Sequence, residues 1–96
     1  MIIIAGTIQI SPQKREANLA AIQEMMAKSQ AEAGCIAYEF SADLTDPNLL
    51  HLFEIWESEA SLQAHRESSH MAVFRQETSP TFVQTQIKRY SAQELR

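Results

Sequence analysis

The sequence predicts an α+β domain whose elements follow the split βαβ order β-α-β-β-α-β. Four runs rich in apolar and β-branched residues read as strands, and helical segments separate the first from the second and the third from the fourth. The short, turn-rich link over residues 43–48 favours an antiparallel hairpin between the second and third runs. We therefore expect a ferredoxin-like fold with a four-stranded antiparallel sheet. Because the chain has only 96 residues, we expect one domain over residues 1–96.

The first strand is predicted over residues 2–10 and stops at Ser11 and Pro12. Ser11 is a suitable N-cap and Pro12 fits the first position of a helix, so the first helix is expected to begin there. Gly34 supplies the left-handed residue that closes a helix. Four apolar side chains are expected to share the buried face of this helix: Leu19, Ile22, Met26 and Ala33.

The second half of the chain supplies the remaining strands and the second helical region. Ser58 can cap a short helix that runs through residue 67, and Ser68 or Ser69 can cap another that ends before Pro80. Three strands are predicted here, over residues 35–41, 50–56 and 83–90. The second strand is expected to place three side chains on one side: Ile36, Tyr38 and Phe40.

The first and third strands are apolar on both faces, although two helices can cover only one face of a four-stranded sheet. In the split βαβ fold these two strands are central, whereas the polar fourth strand should be an edge. An uncovered apolar face would be a large exposed patch, so we expect sheet-to-sheet homodimerisation. The second-face residues are Ile3, Ala5, Phe53 and Ile55.

The composition excludes several classes of function. Lys and Arg number 8 and Asp and Glu 12, giving a net charge of −4, which argues against a general affinity for nucleic acid or anionic membranes. The single cysteine, Cys35, permits no intrachain disulfide and no cysteine metal cluster. The apolar start is short and lacks a basic leader, and no segment reaches the length of a membrane span. These observations predict a cytoplasmic protein.

Three blocks of the sequence, in order, resemble one known family. They are GCIAYEF at residues 34–40, FEIWESEASLQAH at residues 53–65 and SHMAVF at residues 69–74. Their order and spacing are similar to those of the antibiotic-biosynthesis-monooxygenase domain. The resemblance implies a dimeric α+β barrel, made by two sheets packing face to face, with a ligand pocket between sheet and helices. It also implies oxidation of phenols or quinols by molecular oxygen without a metal, flavin or haem cofactor. Other branches of the family degrade haem or isomerise a phosphorylated signalling compound.

His65 and Glu54 are the candidate catalytic residues. His65 matches the histidine of the isomerising branch, and a histidine can accept a phenolic or enolic proton at neutral pH. Glu54 lies between apolar neighbours on one strand face, and burial would raise its pKa into the range of a general base. Each also has a structural interpretation. His65 would then contact a strand or the dimer partner from a helix surface, and Glu54 would be hydrogen bonded to a backbone amide or a basic side chain.

Substrate contacts are expected from aromatic, apolar and histidine side chains near these two residues. Trp56 matches a tryptophan that borders the pocket in the phenol-oxidising members, although packing in the core is the alternative. The full set of predicted contacts is Trp56, Tyr38, Leu52, His70, Met71 and Phe74. No metal site is expected, because the two histidines at 65 and 70 are five apart and not at the i, i+4 spacing that directs two ligands the same way.

Two main hypotheses follow, and a third is weaker. The first is a cofactor-independent monooxygenase that acts on a small aromatic, quinol-like or polyphenolic ligand. The second is a non-catalytic module that binds a small molecule, and the third is an isomerase of a small carbonyl compound. Leu52 and Leu62 stand where the phenol-oxidising members carry an asparagine and a tyrosine, which favours the second hypothesis. Haem degradation is disfavoured, because no histidine occurs around Phe74 and Arg75, where that branch has its iron ligand.

Overall fold

The computed structural model describes residues 1–96 and contains a single four-stranded antiparallel sheet. The strands lie in the order β2-β3-β1-β4, so the first and third strands are central and the fourth is an edge, as predicted. The predicted ferredoxin-like α+β fold is confirmed. The elements are β1 (Ile2–Ile10), α1 (Arg15–Gln30), β2 (Cys35–Ala42), β3 (Leu49–Trp56), α2 (Glu59–Arg66), α3 (Ser69–Thr78) and β4 (Phe82–Ser91).

The core lies between the helices and one face of the sheet, which we call the inner face. It is built from alternate residues of the central strands, because successive side chains of a strand point to opposite faces. The inner-face residues of these two strands are Ile2, Ile4, Ile8 and Ile10 of β1 and Leu50, Leu52, Glu54 and Trp56 of β3, and all of them are buried. None of the helices combines the length and apolarity needed to cross a membrane.

The first helix differs from the prediction in its start, its end and its buried face. A 3₁₀ turn at Pro12–Lys14 precedes α1, and the helix ends at Gln30, so Ala33 lies outside it. Ile22 is buried, and Leu19 and Met26 are half-buried against the core, as predicted, but two polar residues also belong to the buried face. Asn18 accepts a hydrogen bond from the hydroxyl of Thr81 at 2.8 Å, which turns that side of the helix toward the sheet. The buried positions are Asn18, Ile22, Met25 and Ser29.

The predicted alignment of Ile36 with Tyr38 and Phe40 is also wrong. The pairing of β2 with β3 shifts register between Cys35 and Ala37, so Ile36 is the extra residue of a bulge and is 58% exposed. A bulge reverses the alternation of side chains on one side of it. Tyr38 lies on the inner face and is buried.

The turn before β2 requires glycine, as the sequence predicts. Gly34 has a φ of 82°, which is the left-handed region that side chains disfavour. A Cβ at this position would also overlap the hydroxyl oxygen of Ser61 on α2. The carbonyl of Gly34 accepts a hydrogen bond from the amide of Glu57 at 2.8 Å, so this turn fixes the start of α2 beside the end of α1.

The second helical region is broken at Glu67 and Ser68 into two helices with separate caps. Ser58 caps α2 by accepting a hydrogen bond from the amide of Ser61 at 3.1 Å. Ser68, not Ser69, caps α3 by accepting one from the amide of Met71 at 3.2 Å. The break changes the direction of the chain between positions 65 and 70, and this places two histidines side by side.

Candidate functional site

A cavity of about 290 Å³ lies between the inner face of the sheet and the helices α2 and α3. Its wall is mainly apolar, since 10 of its 17 lining residues are hydrophobic. All four strands contribute to it, so the site depends on the whole sheet. Its polar groups include Glu54 from β3, His65 and Arg66 from α2, and Arg75 from α3. An apolar chamber with a few polar groups is typical of a small-molecule site.

The structure brings most of the predicted site residues to this cavity. Both candidate catalytic residues line it, as do four of the predicted substrate contacts. The lining members are His65, Glu54, Tyr38, Leu52, Met71 and Phe74. Two predicted contacts, Trp56 and His70, do not line it. Trp56 is completely buried behind His65, and His70 lies toward α1.

His65 is held by a carboxylate on one side and an aromatic ring on the other. Its Nδ1 lies 2.6 Å from Oε2 of Glu32, and its ring centroid is 4.6 Å from that of Trp56. The side chain is 2% exposed. An ionised carboxylate can only accept a hydrogen bond, so the Nδ1 must carry the proton. The Nε2 atom forms no hydrogen bond in the chain, and in the neutral ring it is an unprotonated base.

The surroundings of His65 favour that neutral form. Burial lowers the pKa of the imidazole below its ordinary value, because a charged ring is poorly solvated there. The hydrogen bond and negative charge of Glu32 raise the pKa of His65 and partly oppose this effect, whereas Arg75 lowers it further. The lowered pKa favours the neutral imidazole at neutral pH, and a neutral ring can accept a proton at Nε2.

The two histidines converge on one carboxylate oxygen. The Nε2 of His70 lies 3.0 Å from the same Oε2 of Glu32 that bonds His65. Although the two histidines are five positions apart, the break between α2 and α3 brings both rings to this one oxygen. The three ligand atoms lie within 4.8 Å of one another, so this cluster is also where a divalent cation could be held. The expected absence of a metal stays a prediction.

Glu54 is a buried carboxyl group that shares its hydrogen bond with the indole of Trp56. The Nε1–H of Trp56 donates to Oε1 of Glu54 at 2.8 Å. Burial raises the pKa of Glu54, while the indole hydrogen bond and the positive charge of Arg66 lower it in part. Neither of the structural partners expected from the sequence, a backbone amide or a basic side chain, is its hydrogen-bond donor. Trp56 thus supports both candidate catalytic residues from behind the cavity.

Tyr38 forms part of the cavity wall beside His65, with ring centroids 5.4 Å apart. Burial raises the pKa of its hydroxyl well above the ordinary value, and the charge of Glu54 adds to this effect. Tyr38 therefore remains protonated at neutral pH.

Three residues of the site were not anticipated from the sequence: Glu32, Arg66 and Arg75. Glu32 lies in the turn after α1, far from both histidines along the chain, so no local spacing connects them. Arg66 and Arg75 occupy ordinary polar positions in the predicted helices, so nothing in the local sequence marks them as site residues. The one signal in the sequence that could have pointed to Glu32 is the pair of nearby histidines, because their ring N–H groups need a hydrogen-bond acceptor.

The model of the family described as antibiotic biosynthesis monooxygenase matches residues 1–77, which is most of the chain. The chain belongs to this family. The resemblance inferred from the three sequence blocks is thereby confirmed. The matched residues include Glu32, Glu54, His65 and His70, whereas the part of the cavity wall that follows residue 77 lies outside the match.

Two relatives are similar to this family member in sequence. "Putative monooxygenase YcnE" of Bacillus subtilis (strain 168) is 31% identical over 74 residues, which cover 77% of this chain and 78% of that protein. "Uncharacterized protein sll1783" of Synechocystis sp. is 36% identical over 73 residues, covering 76% of this chain. The match spans only half of that longer cyanobacterial protein.

Solved structures show the same fold over nearly the whole chain. A conserved protein from Methanosarcina mazei Go1 has a TM-score of 0.88 at 26% identity, with 96% of this chain and 92% of that chain covered. A protein from Deinococcus radiodurans has a TM-score of 0.91 at 21% identity, with coverage of 100% and 96%. The fold is therefore preserved at low sequence identity.

Proposed function

We propose that this family member is a cofactor-independent monooxygenase that oxidises a small quinol- or polyphenol-like compound with molecular oxygen. The observation that carries the proposal is the free Nε2 of the buried His65 at the wall of an apolar cavity. A phenol that loses its proton becomes electron-rich enough to reduce oxygen itself. One oxygen atom then enters the quinone product and the other leaves as water, with all electrons supplied by the substrate.

Each part of this site has a distinct task. His65 accepts the phenolic proton, and Glu32 holds its ring through Nδ1, which leaves Nε2 free to act as the base. The apolar wall excludes water, which keeps the reactive intermediate from side reactions. Glu54 is a second proton-exchanging group, since its raised pKa brings it closer to neutral pH. A volume of about 290 Å³ is at the low end of the usual range for ligand sites, so the substrate has one or two rings.

Oxygen uptake tests this function directly. A panel of one-ring and two-ring quinols is incubated with the protein, and oxygen consumption is compared with the uncatalysed rate for each compound. At least one compound is expected to be consumed faster with the protein than without it. If every rate equals its uncatalysed value while ligands still raise the melting temperature, the chain is a binding module and the proposal fails.

The substitution Glu32→Gln tests the link between the carboxylate and the proposed base. Glutamine can still accept the hydrogen bond from Nδ1 of His65, but it removes the negative charge that raises the pKa of that ring. The neutral ring is the active form, so the acid limb of the kcat/KM profile is expected to move to lower pH. The plateau rate should fall by about tenfold, because the base is weaker. A purely structural role for Glu32 would leave the position of the acid limb unchanged.

We also propose a homodimer formed through the outer face of the sheet. No helix covers this face, and Phe53 and Tyr90 are 39% and 49% exposed on it. Their neighbours Ile3 and Ile55 are half-buried, so the face carries a continuous apolar patch. Such a patch on a small domain is typical of a protein interface.

Substitution of Phe53 with glutamate tests this interface. Both copies would bring a charge into the apolar contact, so Phe53→Glu is expected to weaken dimerisation by about tenfold or more. Light scattering or sedimentation at micromolar concentration measures the effect. Leu44→Glu is the matched control, since Leu44 is fully exposed in a loop. A wild-type monomer under these conditions would contradict the proposed dimer.

A further inference from the structure

Two arginines line the cavity without an acidic partner. Arg66 of α2 and Arg75 of α3 both contribute to its wall, and neither lies within 4.0 Å of a carboxylate oxygen. The guanidinium of Arg75 donates one hydrogen bond, at 3.2 Å, to the backbone carbonyl of Arg66. That contact holds the exposed side chain of Arg75 against the backbone of α2 but neutralises neither charge.

The charge at this wall is opposite to that of the whole chain. The protein has a net charge of −4, with 12 acidic residues available as partners for its 8 basic ones. Of the basic residues, only Lys28, which pairs with Glu24 at 2.9 Å, and Arg89, which pairs with Glu59 at 2.7 Å, have a carboxylate partner. What distinguishes Arg66 and Arg75 from the other basic residues without a partner is their place in the wall of an apolar cavity. The one carboxyl group on the cavity wall, Glu54, is bonded to the indole of Trp56. The two guanidinium groups are thus left without a counter-ion.

We propose that the ligand of this cavity is a hydroxylated arene that carries a carboxylate, and that Arg66 and Arg75 bind the carboxylate. The proposal rests on the proposed function in one respect, because it names the ligand class of the same cavity. A guanidinium presents several N–H donors in a plane and pairs well with a carboxylate, which is bulkier than a hydroxyl but smaller than a phosphate. The small cavity therefore favours the carboxylate.

A carboxylate bound at the two arginines also orients the aromatic ring of the ligand toward His65, the proposed base. The charges of Arg66 and Arg75 act on Glu54 and His65 respectively, so the cationic wall lies close to both proton-exchanging groups. A carboxylate held at the arginines leaves the ring against the apolar residues of β2 and α3, chiefly Phe40 and Phe74. A hydroxyl on the same ring then faces His65. Binding at one end would determine which hydroxyl loses its proton.

A matched pair of ligands tests this inference without any turnover. The dissociation constants of 1-naphthol and 1-hydroxy-2-naphthoate are measured by calorimetry with the purified protein. The two compounds share the same hydroxylated rings, and only the second carries a carboxylate. The carboxylate compound is expected to bind at least about tenfold more tightly. In Arg66→Gln and in Arg75→Gln, the difference in affinity between the two compounds should become smaller. In the double variant, the two compounds should bind equally well.

Arg89→Gln is the control variant, because it removes a positive charge from an external ion pair and should leave the preference unchanged. Equal affinity of the two compounds for the wild-type protein would overturn the proposal, and so would a preference that persists in the double variant. Oxygen uptake distinguishes the proposed carboxylate site from the proposed monooxygenase activity. A carboxylate preference with no oxygen uptake for any quinol sustains the arginine site and rejects the monooxygenase.

Discussion

Replacing Gly6 with alanine is expected to destabilise the protein by about 3 kcal/mol or more. Gly6 lies in the central strand β1, opposite Ile87 of β4. A Cβ at this position would overlap the carbonyl oxygen of Gln86 and lie 2.6 Å from the Cα of Ile87. Both are backbone atoms, so no side-chain rotation can relieve the overlap, and β4 would have to move away from β1. Thermal unfolding should show a fall in Tm of more than about 10 °C, given roughly 4–8 °C per kcal/mol for a chain of this size.

Thr7→Ala is the control for this substitution. Thr7 is the next residue of the same strand, and removal of its hydroxyl and methyl groups creates no overlap, so a loss below about 1 kcal/mol is expected. A Gly6→Ala protein that melts within about 3 °C of the wild type would show that β4 adapts freely. Because β4 supplies part of the cavity wall, the same variant is also expected to lose ligand affinity.

The substitution His65→Gln is expected to lower kcat/KM for quinol oxidation by about 100-fold or more, the usual contribution of a general base. Glutamine retains a donor for the carboxylate of Glu32 but offers no nitrogen that can accept a proton near neutral pH. The neighbouring Glu54 has a raised pKa, yet its oxygen is engaged by Trp56, so we do not expect it to replace the imidazole. Steady-state oxygen uptake over a range of pH measures the loss.

His51→Gln provides a matched histidine control. His51 lies on the opposite face of the sheet, where it contacts Asp43 at 2.8 Å, far from the cavity wall. Its substitution should leave kcat/KM within about twofold of the wild type. If His65→Gln retained wild-type activity with an unchanged melting temperature, His65 would not be the base. Glu54 would then be the remaining proton acceptor at the cavity.

Glu32 contacts both histidines, so its substitution is expected to disturb both rings. Loss of Glu32 would leave two imidazole N–H groups without their acceptor, and a buried donor without a partner is costly. His70 does not line the cavity, so it can influence the reaction only indirectly, through Glu32 or through its effect on the ring of His65, whose centroid is 6.0 Å from its own. We therefore regard Glu32 as a positioning residue for His65.

Much of the architecture could be read from the sequence because it is encoded locally. Continuous runs of apolar and β-branched residues located β1 and β3, and the bounds of β1 agree with the prediction at both ends. Gly34 and the caps Ser58 and Ser68 each act within a few residues, so their roles could be inferred without a structure. The local pattern was insufficient where a contact with a distant part of the chain changed the conformation. The bulge at Ile36 and the polar buried face of α1 both arise from pairing with distant parts of the chain.

The order of elements, the central strands, the apolar second face of the sheet and the family all follow from periodicity, turn chemistry and motif spacing, which are properties of the chain alone. Which side chains meet depends on the three-dimensional packing. The approach of Glu32 to His65 joins positions 33 residues apart, and the unpaired state of Arg66 and Arg75 depends on where every carboxylate lies. Such contacts are set by the packing of helices on the sheet. A change of direction at a single helix break was enough to bring two histidines to one carboxylate.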